Sequence, residues 1–134
     1  MPHLSKQKLT AEARQEIEAN VTSLLSELNA KTRRLMVREL LTATERLMIA
    51  KRLTLLILLN HGVSIRKICK LLKISPSTVT RFQLHTTENR YKETLSWIDS
   101  SRRTNHALIN LLSDLLSIPF KAQRKSLSQL LDEL

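Results

Sequence analysis

The residues best placed to do chemistry lie between positions 62 and 84, GVSIRKICKLLKISPSTVTRFQL, and the chemistry they suit is contact with a polyanion. Arg66, Lys67, Lys70, Lys73 and Arg81 bring positive charge to this stretch, and no acid stands among them. Ile68, Leu72, Ile74, Val79 and Phe82 recur where two short crossed helices bury their contacts, and the small Cys69 falls where such helices come closest. Ser75-Pro76 opens the second helix: serine is a preferred N-cap, and proline at the first helical position loses nothing through its missing N–H. A two-helix frame with unopposed positive charge is what reading a major groove requires. The spacing therefore predicts a helix-turn-helix. Lys67, Lys70 and Lys73, on or just after its first helix, hold phosphates, while Ser75, Pro76, Ser77, Thr78 and Arg81 lie where base edges are met. A merely basic helical hairpin is the plainer alternative, because short helix pairs are common.

The charge of the whole chain points the same way. Its 134 residues carry 22 Lys and Arg against 12 Asp and Glu, a net +10, which favours a polyanionic partner. From Arg46 to Thr87 there is no acid at all, whereas the flanks are mixed in sign, with Glu12, Glu16, Glu18 and Glu27 before and Asp114, Asp132 and Glu133 after. A surface that only had to be soluble would intersperse both signs. Aromatic residues make up 3 % of the chain and form no local platform for stacking splayed bases, so duplex DNA is favoured over RNA or single strands.

Other chemistries find no constellation. His3, His61, His85 and His106 are scattered, and Cys69 has no cysteine partner at zinc-ligand spacing. One glycine cannot build a phosphate-binding loop. The sequence thus predicts no enzyme, no metal and no cofactor. Cys69 reads as a small buried residue, with a redox-sensing thiol as the alternative, and its solitude fits a reducing compartment. The opening MPHLSKQKL is polar and the longest apolar run, Leu55 to Leu59, is far short of the ~20 residues of a membrane span. A soluble, cytoplasmic protein with no membrane partner is expected.

The elements that must position the motif are helices. Leucine dominates, and only one glycine and three prolines interrupt the chain. Thr10 caps a first helix to about Leu28, with Ile17, Val21, Leu24, Leu25 and Leu28 as its apolar stripe. After a short break at Asn29-Ala30-Lys31, a second helix reaches Leu40 or Leu41. Thr42 and Glu45 form a capping-box signature for a third, running to Asn60. The second half of that helix, LTLLILLN, is apolar on nearly every side and demands burial all round, for which an intertwined dimer provides room. Gly62 falls where a left-handed C-cap is wanted. Beyond the motif, His85-Thr86-Thr87 reads as a break, with Thr86 or Thr87 capping a helix through Tyr91, Leu95 and Ile98. A polar joint at 100–104 precedes a leucine-rich helix capped by Asn105 and carrying Leu108, Leu111, Leu112, Leu115 and Leu116. Pro119 ends it, and Leu127, Leu130, Leu131 and Leu134 mark a last short helix.

The stretch from Leu40 to Arg81 resembles the tryptophan-repressor superfamily of small intertwined helical dimers. The resemblance is carried by LLTATERLMIAKRLTLLILLNHG, SIRKICKLL and STVTR: the LLT start, Glu45-Arg46, Arg52, Gly62 and the run Thr78-Val79-Thr80-Arg81. It covers about a third of the chain well, and the last forty or so residues extend past the family's usual end. The resemblance implies that Arg66, Thr78 and Thr80 face DNA, and that Thr42, Arg52 and Arg81, with His85 in place of a serine, mark a corepressor pocket where two arginines flank an indole. The family's small glycine after the second arginine is Phe82 here, whose ring is expected to fill the indole's place and exclude tryptophan. Another small-molecule effector is left open.

Together these readings predict an all-α, multi-helix intertwined dimer of tryptophan-repressor type. Residues 1–86 form the dimerisation core with the helix-turn-helix at about 62–84, and residues 87–134 form a helical extension. The function expected is that of a homodimeric, sequence-specific duplex-DNA-binding repressor in the bacterial cytoplasm, associated with the nucleoid. A helical scaffold presenting its C-terminal leucines to a protein partner is the alternative.

Overall fold

The computed structural model describes residues 8–101, 110–112, 114 and 131–132, and among them every regular element is a helix. Six can be followed in full: α1 (Ala11–Glu27), α2 (Ala30–Leu40), α3 (Ala43–Asn60), α4 (Ile65–Leu72), α5 (Pro76–Thr87) and α6 (Lys92–Ser101). They fall into two compact units, Met1–Ala43 and Thr44–Leu134.

In the first unit the helix ends are set by the residues the sequence offers for the purpose. Thr10 accepts the Ala13 N–H at α1 (3.2 Å), and Asn29 accepts the Thr32 N–H at α2 (2.8 Å). Asn29 is thus itself the cap of α2, and the break between the helices is shorter than the expected three residues. Arg33 reaches back from α2 to the carbonyls of Leu25 (3.0 Å) and Leu28 (2.7 Å), satisfying acceptors that the end of α1 leaves free. Neither α1 nor α2 contains a buried residue.

The second unit holds the core. Thr54, Leu55, Leu56, Ile57 and Leu58 are consecutive and all buried, so the second half of α3 is enclosed on every side, as its sequence demands. Ile68 and Leu72 of α4, Val79 and Phe82 of α5 and Ile98 of α6 pack with them, as do Leu112 and Leu131. The expectation that this run needs a second copy for cover is therefore corrected: the chain's own helices enclose it. Thr54 is the polar member, fully buried, and its Oγ1 finds no hydrogen-bond partner among the described residues.

The end of α3 is a Schellman closure. Gly62 takes φ +83°, Val63 N–H donates to Leu58 O (3.0 Å) and Gly62 N–H to Leu59 O (3.1 Å), as the glycine's position predicts. Asn60 Nδ2 donates to Asp99 Oδ1 (2.9 Å), and His61 Nε2 lies 2.9 Å from Asp132 Oδ1. These contacts tie the residues just before the motif to distant parts of the same unit.

The predicted break at His85-Thr86-Thr87 is not there: α5 runs through all three. Thr86 and Thr87 cap nothing, and instead donate their hydroxyls to the carbonyls of Phe82 (2.9 Å) and Leu84 (2.6 Å). The helix stops at Asn89, which adopts φ +59°, while Arg90 N–H donates to His85 O and Asn89 N–H to Thr86 O (both 3.1 Å). Asparagine is the commonest substitute for glycine in this left-handed role, so the signal lay in Asn89. Of the leucine-rich extension, Leu112 and Leu131 are buried, and Asn105, Leu108, Leu115, Leu116, Pro119, Leu127, Leu130 and Leu134 lie outside the described residues.

Candidate nucleic-acid interface

Helix α4 separates its two faces completely. Ile68 and Leu72 are buried, whereas Arg66, Lys67 and Lys70 are exposed, an arrangement set by the three- and four-residue spacing of its apolar positions. Ser64 caps it, accepting the Lys67 N–H (3.4 Å). Its other end is closed by Lys73, which takes the left-handed conformation (φ 53°, ψ 53°) and donates its N–H to Cys69 O. A side chain in that region costs roughly 1–2 kcal/mol, so a lysine here trades stability for a cation at the turn. Cys69 is half-buried against the core, less enclosed than expected, and so is Ile74.

From this turn α5 starts at Ser75, whose hydroxyl accepts the Thr78 N–H (3.3 Å), with Pro76 in the first turn. Val79 and Phe82 anchor α5 in the core while Ser75, Pro76, Ser77, Thr80 and Arg81 are exposed and Thr78 is half-buried. The exposed cations of α4 and the exposed hydroxyls and Arg81 of α5 thus belong to two packed helices joined by a tight turn. All ten sequence-predicted residues of the motif fall on this pair or on its turn. Thr80 Oγ1 donates to Pro76 O (2.9 Å), which leaves that hydroxyl only as an acceptor.

Beside the motif lies a cavity of about 610 Å³. Lys51, Arg52, Arg81 and His85 supply its basic side chains, and no carboxylate is among its lining residues. Leu55, Leu56, Phe82 and Tyr91 give it an apolar wall. Phe82 does not fill this space, contrary to expectation. Phe82 as a residue is 8 % exposed, and its ring stacks on Tyr91 with centroids 5.5 Å apart and planes 5° from parallel, so it forms a wall of the cavity. Arg52, Arg81 and His85 all line this cavity, and Thr42 stands immediately before α3 in the other compact unit. Sequence reasoning missed Lys51 and Tyr91. Lys51 was visible only as the neighbour of Arg52, and Tyr91 reaches the cavity because α5 continues past the supposed break.

Two short packed helices, a tight turn and one cationic surface define a helix-turn-helix protein. Comparison of the sequence with known families specifies it further: residues 15–99 match the family described as Trp repressor protein. That stretch is well over half of the chain, and the chain belongs to this family, whose members are helix-turn-helix DNA-binding regulators and not enzymes. Comparison with curated proteins and with solved structures gave no match. No helix among the described residues is long and apolar enough to cross a membrane, and no group of three or more His, Cys, Asp or Glu there could hold a metal ion.

Proposed function

We propose that this protein is a homodimeric repressor that binds duplex DNA sequence-specifically in the bacterial cytoplasm, as part of the nucleoid. The observation that carries the reading is the face of α4 and α5, where Arg66, Lys67, Lys70, Lys73 and Arg81 are all exposed inside a stretch without a single acid. Such a face releases counterions from phosphates, whereas a protein-binding scaffold has no need of it. Lys67, Lys70 and Lys73 hold phosphates, and α5 enters the major groove with Ser77, Thr78, Thr80 and Arg81 towards the bases. Burial of Leu112 and Leu131 weighs against the scaffold reading, since these leucines of the extension serve the core and offer no surface to a partner.

Dimerisation is supported by the first unit. Ile17, Val21 and Leu24 form a stripe on one face of α1 and are 48–52 % exposed. A helix of 17 residues that buries none of its own stripe gains little from its propensity alone, and a second copy supplies the missing cover. Two recognition helices would then meet successive major grooves about 34 Å apart, on a near-palindromic site. In this reading residues 1–86 are the dimerisation core with its motif, and residues 87–134 an extension that completes the core.

The cavity is the effector site, and tryptophan is not its ligand. Lys51, Arg52 and Arg81 surround the space with positive charge, and none of its lining side chains is a carboxylate to receive an ammonium group. Gel shifts on random genomic duplex fragments at two salt concentrations test the DNA reading: binding that weakens steeply with salt supports it, and no binding at low salt refutes it. A thermal shift on adding tryptophan would overturn the assignment of the effector.

A further inference from the structure

We propose that Ser75 is a positioning residue that fixes the hydrogen-bonding polarity of Ser77 and Thr78 and so steers the recognition helix to adenine over guanine at one position of each half-site. The inference rests on the duplex-DNA reading above and deepens it. Ser75 Oγ has three partners: the Thr78 N–H at 3.3 Å, Ser77 Oγ at 3.0 Å and Thr78 Oγ1 at 2.8 Å. A hydroxyl owns one hydrogen and two lone pairs. The backbone N–H takes one lone pair, and one lone pair and one hydrogen remain for two neighbouring hydroxyls. One neighbour must therefore donate to Ser75 and the other must accept from it.

The consequence faces outward. The hydroxyl that donates to Ser75 has spent its hydrogen and can only accept from a ligand, while its neighbour keeps its hydrogen and can donate. Ser75 itself is saturated and has nothing left for a base, which moves it from contact to support. The two remaining hydroxyls present one donor and one obligate acceptor side by side. Adenine offers the complement in the major groove, with N7 as acceptor and the N6 amino group as donor. Guanine offers two acceptors, N7 and O6, and would set a lone pair against the obligate acceptor. Thr80 is a further obligate acceptor on α5, since its hydrogen is held by Pro76 O.

The test is selection from a random duplex pool with the full chain and three variants. Ser75→Thr keeps the hydroxyl and should select the same sites. Ser75→Gly is tolerated at an N-cap but removes the hydroxyl, and Ser75→Asp keeps the cap while accepting from both neighbours. Wild type should prefer adenine to guanine about fivefold or more at one position of each half-site. In the Gly variant that ratio should fall towards one at that position, with the rest of the site unchanged and the melting temperature close to wild type, whereas in the Asp variant both hydroxyls become obligate acceptors and guanine should stay disfavoured. The added charge of Asp lowers affinity for all sequences alike, so the readout is the base ratio and not the affinity. A wild-type site without such a position, or a Gly variant that keeps the full ratio, would overturn the proposal while leaving DNA binding intact. Failure of wild type to enrich any duplex would overturn the DNA reading itself.

Discussion

The second half of α3 and the stripe of α1 are both apolar, yet the chain treats them differently. Thr54 to Leu58 are 0–4 % exposed, while Ile17, Val21 and Leu24 remain about half exposed. The difference lies in what the rest of each unit brings. In the second unit α4, α5 and α6 each present residues to α3, and Leu112 and Leu131 join them. In the first unit α2 meets α1 mainly at its end, through Arg33 and the carbonyls of Leu25 and Leu28, and it buries none of the stripe. Apolar sequence alone does not say who covers it. The all-round pattern of LTLLILLN calls for enclosure, and a stripe at three- and four-residue spacing calls for one flat neighbour.

Truncation should separate the two regions most sharply. Leu58→Ala should cost about 2–5 kcal/mol in denaturant unfolding, because it removes fully buried methyl groups from a packed site. Val21→Ala should cost far less per chain. Replacing Ile17, Val21 and Leu24 together by Ser should leave the unfolding of the second unit almost unchanged but shift sedimentation from dimer to monomer and weaken DNA binding. If the triple variant stays dimeric at micromolar concentration, α1 is not the face that a second copy covers.

A smaller effect of the opposite sign is expected inside the core. Thr54→Val keeps the shape and removes an unsatisfied buried hydroxyl, so stability should rise by about 1 kcal/mol. A loss of stability would mean that the hydroxyl has a partner in the assembled protein. Smaller again, Lys73→Gly relieves the left-handed strain and should gain up to about 1 kcal/mol. It should also weaken binding to every duplex alike, because it removes one phosphate-holding cation. Stability and DNA affinity then move in opposite directions in one substitution.

Much of this was legible in the sequence because the signals were local. Thr10, Gly62 and Ser75-Pro76 mark helix ends through residue chemistry that acts within four positions, and all three stand where expected. Ile68, Leu72, Val79 and Phe82 follow from spacing and are buried. What failed was non-local or conditional. His85-Thr86-Thr87 looked like a break because threonines favour caps, but in the body of α5 the two threonine hydroxyls return their hydrogens to carbonyls of the preceding turn. The direction of the Phe82 ring was set by Tyr91, a stacking partner nine positions on that no local pattern could assign. That a single chain encloses α3 depended on Ile98, Leu112 and Leu131, which lie far from it in sequence.

Equilibrium binding of one selected duplex across a salt series shows whether the α4–α5 face holds duplex DNA through its cations. The logarithm of the affinity should fall linearly with the logarithm of salt, by about 0.9 for each phosphate held, and Lys70→Ala should lower that slope by about 1 without changing the preferred sequence. Binding that is absent at low salt, or a slope that Lys70→Ala leaves untouched, would contradict that role of the face.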